Sequence, residues 1–266
     1  MSPVETNSDN APVTSGRPEP YALDVGRTFT AVVDGEQREL DIYTDEGFRV
    51  LSNLWLRSGW QQKFSYELTW LGIPVIQLPE DVVLMQELLW KVRPDVVVEC
   101  GVAHGGALVL YSSVLELLGK GRVVGVDVEI RKYNRLAIES HPLSHRISLI
   151  EGDSVAPETL AAVRSHIRPG DRVLVVLDSL HTRAHVASEL VAYAPLVTPS
   201  SYLVVFDGVM TVVADAPNAG VGWETDNPLT ATDDFLASNA AFERDPAYGR
   251  LGVTYCPAGF LRRRDD

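Results

Sequence analysis

The sequence predicts an α/β protein in which a mostly parallel sheet carries helices on both faces, behind an irregular N-terminal extension. Three observations predict it. From Pro79 onward, short strand-like runs alternate with helical segments, the order that builds parallel β-α-β units. Runs such as Val173-Leu174-Val175-Val176-Leu177 are continuously apolar, as strands covered on both faces must be. The run Val96-Val97-Val98 ends in Glu99 and opens into the glycine-rich turn Cys100-Gly101-Val102-Ala103-His104-Gly105-Gly106. In a parallel sheet, that junction is where the backbone comes closest to a ligand.

Taken in order, residues 1–20 are polar, proline-bearing and without periodicity. They read as a disordered tail, neither a signal peptide nor an anchor. Residues 21–78 read as the extension. Within it, Phe29, Ala31 and Val33 alternate with polar neighbours before Asp34-Gly35, and Arg38, Leu40 and Ile42 follow, predicting a short hairpin. The next stretch carries Phe48, Trp55, Trp60, Phe64, Tyr66 and Trp70. Most of these rings are expected to be packing, with a few left to wall a pocket.

The domain proper is expected over 79–266. Pro79, Glu80 and Asp81 suit a first helical turn, Val82, Met85, Leu88, Leu89 and Val92 form its apolar face, and Pro94 ends it. Strands are expected at 95–99, 122–127, 146–151, 172–178 and 201–206. Helices are expected near 105–118, 132–140, 157–167 and 182–194. After Asp207 a stretch rich in Gly, Pro and Asp, containing Trp223 and Asn227, runs to Pro228. Its length suits a functional lid over an acceptor. A helix near 230–239 and strand structure at 251–255 and 259–261 complete the pattern.

Composition narrows the function. The formal net charge of −13 disfavours nucleic acid as a partner, because phosphate binding needs a basic field. Two cysteines, Cys100 and Cys256, make neither a disulfide framework nor a zinc cluster and suit a reducing cytoplasm. No run approaches the ~18 apolar residues of a membrane span.

In open α/β sheets ligands collect at the carboxyl ends of the strands. Here those ends carry Glu99, Asp127, Asp153, Asp178 and Asp207. Asp127, ending Val123-Val124-Gly125-Val126, is placed to accept hydrogen bonds from ribose hydroxyls, and Asp153-Ser154 would lie beside an adenine edge. The turn after Glu99 is not G-x-G-x-x-G, and G-x-x-x-x-G-K-[ST] is absent. With no phosphate to cradle, a cationic nucleoside such as S-adenosylmethionine fits better than a dinucleotide or triphosphate. A glycine turn of this kind also closes β-α corners that hold no ligand, and single acids such as Asp153 and Asp178 also serve as helix caps. Asp178 and Asp207 together suggest a hard divalent cation with oxygen ligands, with Mg2+ the expected ion. His181 stands beside Asp178 in Asp178-Ser179-Leu180-His181 and is the candidate base.

At these residues the chain resembles the cephalosporin hydroxylase family, which is similar to class I methyltransferases and includes rhamnosyl O-methyltransferases. The resemblance spans about Trp55 to Leu236. It rests on Trp70-Leu71-Gly72-Ile73-Pro74-Val75-Ile76-Gln77-Leu78-Pro79, Glu99 to Gly106, Gly125-Val126-Asp127-Val128-Glu129-Ile130-Arg131, Ile150-Glu151-Gly152-Asp153-Ser154, Leu177 to Thr182, and Asn227-Pro228 ahead of a helix. It implies a Rossmann-like class I methyltransferase sheet, with S-adenosylmethionine at Glu99, Gly101, His104, Gly105 and Asp127. It also implies a metal held by Asp178 and an acidic pair after the fifth strand. In this chain the first position of that pair is Phe206, and only Asp207 remains.

The expected function is Mg2+-assisted, S-adenosylmethionine-dependent O-methylation of a rhamnosyl or other deoxysugar hydroxyl on a small natural product, as in antibiotic biosynthesis. Asp178 and His181 are the expected catalytic residues, in a cytoplasmic homo-oligomer. Two other readings stay open. The lost acid at Phe206 keeps alive a non-catalytic cofactor-binding subunit of a biosynthetic enzyme. A nicotinamide-dependent oxidoreductase is disfavoured by the missing dinucleotide motif.

Overall fold

Alternation in the extension does form a hairpin. In the computed structural model, which describes residues 26–33 and 35–265, β1 (Thr28–Val33) pairs antiparallel with β2 (Glu36–Asp41), in register from Thr28↔Asp41 to Val33↔Glu36. The expected tail over 1–20 lies outside the described residues. The chain divides into two units, one ending at Leu51 and the other beginning at Ser52.

The extension is less irregular than expected, because α1 (Asp45–Gln61) is a 17-residue helix. Its buried positions are Gly47, Ser52, Leu56 and Gly59, whereas Phe48, Leu54 and Trp55 face solvent. The helix therefore shows no continuous apolar stripe, the usual signal of a helix in sequence.

In the second unit, a small hairpin of β3 (Thr69–Trp70) and β4 (Ile73–Pro74) leads into α2 (Pro79–Val92). The alternating part follows as β5 (Val96–Cys100), α3 (Gly106–Leu118), β6 (Arg122–Asp127), α4 (Lys132–Glu139), β7 (Ile147–Glu151), α5 (Pro157–Ser165), β8 (Val173–Leu177), α6 (Arg183–Tyr193) and β9 (Tyr202–Val205). Then come α7 (Pro228–Ser238), β10 (Phe242–Arg244) and β11 (Phe260–Arg263).

The seven-stranded sheet has the order β10-β11-β9-β8-β5-β6-β7. Its β9-β8-β5-β6-β7 portion is parallel, and β11 runs antiparallel to both its neighbours. This is the Rossmann-like sheet expected. Successive strand residues alternate faces, so the all-valine run of β5 serves two cores. Val97 packs with Met85, Leu88, Leu108 and Tyr111 from α2 and α3. Val96 and Val98 pack with Val163, Val186, Leu190 and Ala231 from α5, α6 and α7.

The stretch 251–255 is not a strand. Tyr255 is buried, but its amide donates to Asp81 Oδ2 at 2.8 Å rather than to a sheet ladder. No helix among the described residues is long and apolar enough to cross a membrane.

Chain order reverses at β5, where β6 and β7 lie on one side and β8 and β9 on the other. That reversal opens a crevice at the carboxyl ends of the strands, and the turn above β5 explains its glycine. Gly101 has φ +104, and a Cβ there would stand 1.9 Å from the Asp178 carbonyl oxygen. The two central strand ends close on each other only without a side chain.

Candidate active site

The crevice is a cleft of about 600 Å³ lined by strand ends and by loops, within the range of about 300–1,000 Å³ that small-molecule sites occupy. Gly101, Ala103, Asp127, Asp153, Ser154, Asp178, Ser179, His181 and Asp207 all face it. Hydrogen bonds one residue beyond each strand hold these ends in register. Gly101 N donates to Val126 O, Gly152 N to Asp127 O and Asp178 N to Cys100 O, each at 2.8 Å.

On the β6 side, Asp127 accepts from the amides of Val102 at 2.8 Å and Ala103 at 3.2 Å through Oδ2, and from Glu129 N at 3.2 Å through Oδ1. Its carboxylate thus pins the glycine turn as well as facing the cleft. Asp153 accepts from Val155 N at 3.1 Å through Oδ1. Neither Asp153 nor Asp178 caps a helix. Ala156 precedes α5 without a side-chain cap, and Thr182 caps α6 through the amide of His185.

On the β8–β9 side, Asp178, His181 and Asp207 form a cluster. His181 Nε2 lies 3.1 Å from Asp207 Oδ2, and one ligand atom from each of the three residues falls within 4.8 Å of the others. Asp207 sits in the left-handed region at φ 57, which Asp tolerates better than most residues. Burial pushes the Asp178 carboxyl up to about 7, reinforced by Asp207 and opposed by His181. Burial raises Asp207 too, again opposed by His181. Two carboxylates that resist ionising together are stabilised by a cation between them.

The donor chemistry fits a divalent ion. Two carboxylates and an imidazole suit Mg2+ or Mn2+. Ligands on one such ion lie within about 4.2 Å of each other, twice a ~2.1 Å bond, so only a small contraction is needed.

Asp81, at the start of α2, is fully buried beneath this cluster. It accepts from the Thr254 hydroxyl and Tyr255 amide, and burial raises its carboxyl to about 7 despite those bonds. The folded state therefore favours the protonated form, and stability is lost as pH rises from the unfolded value near 3.8 to about 7. Asp81→Asn should be more stable than wild type at pH 8 by roughly 1–3 kcal/mol, with the advantage gone at pH 4. Thermal melts at the two pH values check this, and a pH-independent difference would contradict it.

Several expected site residues lie off the cleft wall. Gly105 precedes α3 at φ +90, where a Cβ would stand 2.3 Å from Ile138 Cδ1, so backbone conformation and packing against α4 account for the glycine. His104 lies 3.4 Å from Asn134 Oδ1. Glu99 is buried behind the wall, where it accepts from the Tyr111 hydroxyl at 3.0 Å and keeps Oε2 without a partner. Burial holds its carboxyl well above the usual range, reinforced by Asp178. An orphaned buried carboxyl oxygen two residues before Gly101 fits a cationic ligand at this end of the cleft.

In the 208–228 stretch, Asn227 is a fully buried cap that accepts from Thr230 N at 3.0 Å and donates to Trp223 O at 2.7 Å. Asn218 is the residue of that stretch on the wall. Trp60, Lys63, Tyr66, His185 and Tyr255 also line the cleft. Trp60 packs edge-on against Tyr255 at 5.1 Å and Trp223 at 5.7 Å.

Residues 62–264 match the model of the Rhamnosyl O-methyltransferase/CmcI family, a span that includes every strand of the seven-stranded sheet and both halves of the cleft. The chain belongs to this family. It is accordingly an S-adenosylmethionine-dependent O-methyltransferase. The rhamnosyl O-methyltransferase of Mycobacterium leprae is 28% identical over 74% of this chain and 83% of its own length. That of Mycobacterium tuberculosis is 26% identical over 73% of this chain and 78% of its own. A solved structure of CmcI with Mg and S-adenosylmethionine is 19% identical, covers 75% of this chain and 78% of its own, and superposes with a TM-score of 0.54, sharing the fold.

Phe206 stands at the position where the resemblance implied a second acid. Its ring is 2% exposed within the core facing α2 and α3. The third polar donor beside Asp178 and Asp207 is His181.

Proposed function

We propose that this methyltransferase acts on a sugar hydroxyl, rhamnosyl or of a related deoxysugar, on a small natural product, with a divalent cation such as Mg2+ at Asp178 and Asp207. One observation carries the reading: a single cleft has Asp127 and Asp153-Ser154 at one end and the Asp178–His181–Asp207 cluster at the other. The names of the rhamnosyl-modifying relatives support the acceptor class, and the two half-buried carboxylates, both raised by desolvation, support the cation.

Asp127 accepts the ribose hydroxyls with the capacity its three backbone donors leave, and Asp153 and Ser154 face the base. When bound, S-adenosylmethionine supplies an electrophilic methyl group, and a cation would polarise the acceptor hydroxyl. Asp178 and Asp207 would hold that cation. His181 takes the acceptor's proton. Its Nε2 faces Asp207, so Nδ1 is the nitrogen free for this role, with Asp207 stabilising the imidazolium that results. Trp60, Tyr66 and Tyr255 exclude water around the acceptor. Holding the two reactants in line can supply up to roughly 7–11 kcal/mol of barrier reduction.

We further propose that the protein works in the cytoplasm as a homo-oligomer. Exposed Leu54 and Trp55 supply apolar surface for association.

Calorimetry tests the cofactor half. Wild type should bind S-adenosylhomocysteine, and Asp127→Ala should lose about 1–3 kcal/mol, the usual worth of hydrogen bonds to a charged group. Tight NAD binding with no S-adenosylhomocysteine binding would overturn the assignment.

A further inference from the structure

The base end of the cleft contains a buried carboxylate that the reaction does not use. Glu189, on α6, is 0% exposed. Its Oε1 accepts from the Ser154 hydroxyl at 2.6 Å and the Ser179 hydroxyl at 2.7 Å. His185 Nε2 lies 3.3 Å from the same oxygen and 3.2 Å from Ser154 Oγ. Tyr193 donates its hydroxyl to Ser154 O at 2.8 Å, fixing the backbone of that residue. Ser154, Ser179 and His185 line the cleft, and Glu189 stands behind them.

A serine hydroxyl has one hydrogen and two lone pairs, and a carboxylate has no hydrogen to give. Both serines must therefore donate to Glu189, and towards the cleft they present lone pairs alone. Asp153, beside them on the wall, is a carboxylate as well. Asp153 and the two serine oxygens thus face the cleft as acceptors beside the His185 ring, and Glu189 sets the polarity of the two serines.

We infer that Glu189 is a specificity-determining positioning residue: by consuming the hydrogens of Ser154 and Ser179 it makes the base pocket read an exocyclic amino group, and so selects adenine over hypoxanthine. Adenine offers an N–H donor at that edge. Hypoxanthine offers a carbonyl oxygen, which sets lone pair against lone pair and leaves buried acceptors unpaired. Sites built on such hydrogen bonds reject the mismatched analogue strongly. The inference rests on the cofactor placement proposed above.

The test is calorimetric and needs no acceptor. Wild type should bind S-adenosylhomocysteine roughly 30–100-fold more tightly than S-inosylhomocysteine, the range expected for a mismatched polar contact. In Glu189→Gln the amide can donate to one serine and free its hydrogen to point into the cleft. The ratio should fall below about 5-fold, mainly through tighter binding of the inosine analogue. Ser154→Ala, which leaves Glu189 in place, should lower the ratio by weakening the adenosine ligand. Equal binding of both ligands by wild type, or an unchanged ratio in folded Glu189→Gln, overturns the inference alone. Absence of any S-adenosylhomocysteine binding overturns the cofactor placement and the inference with it.

Discussion

Asp178→Asn should lower the methyl-transfer rate by about 10³-fold, corresponding to about 4 kcal/mol of lost transition-state stabilisation. It should also abolish tight Mg2+ or Mn2+ binding. The reason is local. Asp178 is the donor whose carboxyl is driven up to about 7 by burial and by Asp207, so it carries the largest electrostatic gain when a cation arrives. The same shift fixes the sign of a stability effect. A carboxyl raised in the folded state costs stability as pH rises from about 3.8 towards 7. Metal-free wild type should thus be less stable at pH 8 than at pH 5, and added Mg2+ should recover the difference by binding the native state. Asp178→Asn should be the more stable protein at pH 8 without metal and should gain nothing from Mg2+, which separates lost catalysis from lost folding. Full wild-type turnover after exhaustive chelation would contradict the cation's role.

His181→Ala should cost roughly 10²–10⁴-fold in methyl-transfer rate, the range for removing a positioned base, with little change in S-adenosylhomocysteine affinity. The loss should sit at the upper end because the cluster holds two carboxylates, Asp178 and Asp207, so a side chain carries more of the deprotonation. The contact between His181 Nε2 and Asp207 Oδ2 at 3.1 Å also ties the ring to the cluster. Measuring Mn2+ affinity in the same variant divides the two roles. Unchanged metal binding with a large rate loss identifies the proton acceptor. A tenfold rate loss that tracks a loss of metal affinity would make His181 a ligand instead.

Continuous Val and Leu runs mark strands buried on both faces, so the parallel strands were readable in sequence to within a residue or two. The acids at their ends were readable for the same reason, since a strand's last residue is fixed once its core is. Helix α1 was not, because Gly47, Ser52, Leu56 and Gly59 form its buried side while Phe48, Leu54 and Trp55 face water. Local pattern also misplaced 251–255, whose backbone is held by Asp81 from α2 rather than by a neighbouring strand. Within the site, Asp127, Asp153, Ser154, Asp178, His181 and Asp207 all line one cleft. Trp60 and Tyr66 come from the aromatic stretch expected to leave a few rings for a pocket wall, whereas Tyr255 reaches it through tertiary packing that no local sequence signal announces. Glu189 was invisible for a similar reason: a glutamate on a helix reads as solvated surface until the fold buries it against two serines.

The central claim is methyl transfer to a sugar hydroxyl, and single-turnover transfer of labelled methyl from S-adenosylmethionine by the wild-type protein tests it most directly. With Mg2+ and a rhamnosylated small-molecule acceptor, the account predicts one new O-methyl group on the sugar carrying the label. Cofactor binding with no transfer to any rhamnosyl or related deoxysugar acceptor would contradict it and point to an acceptor of another class.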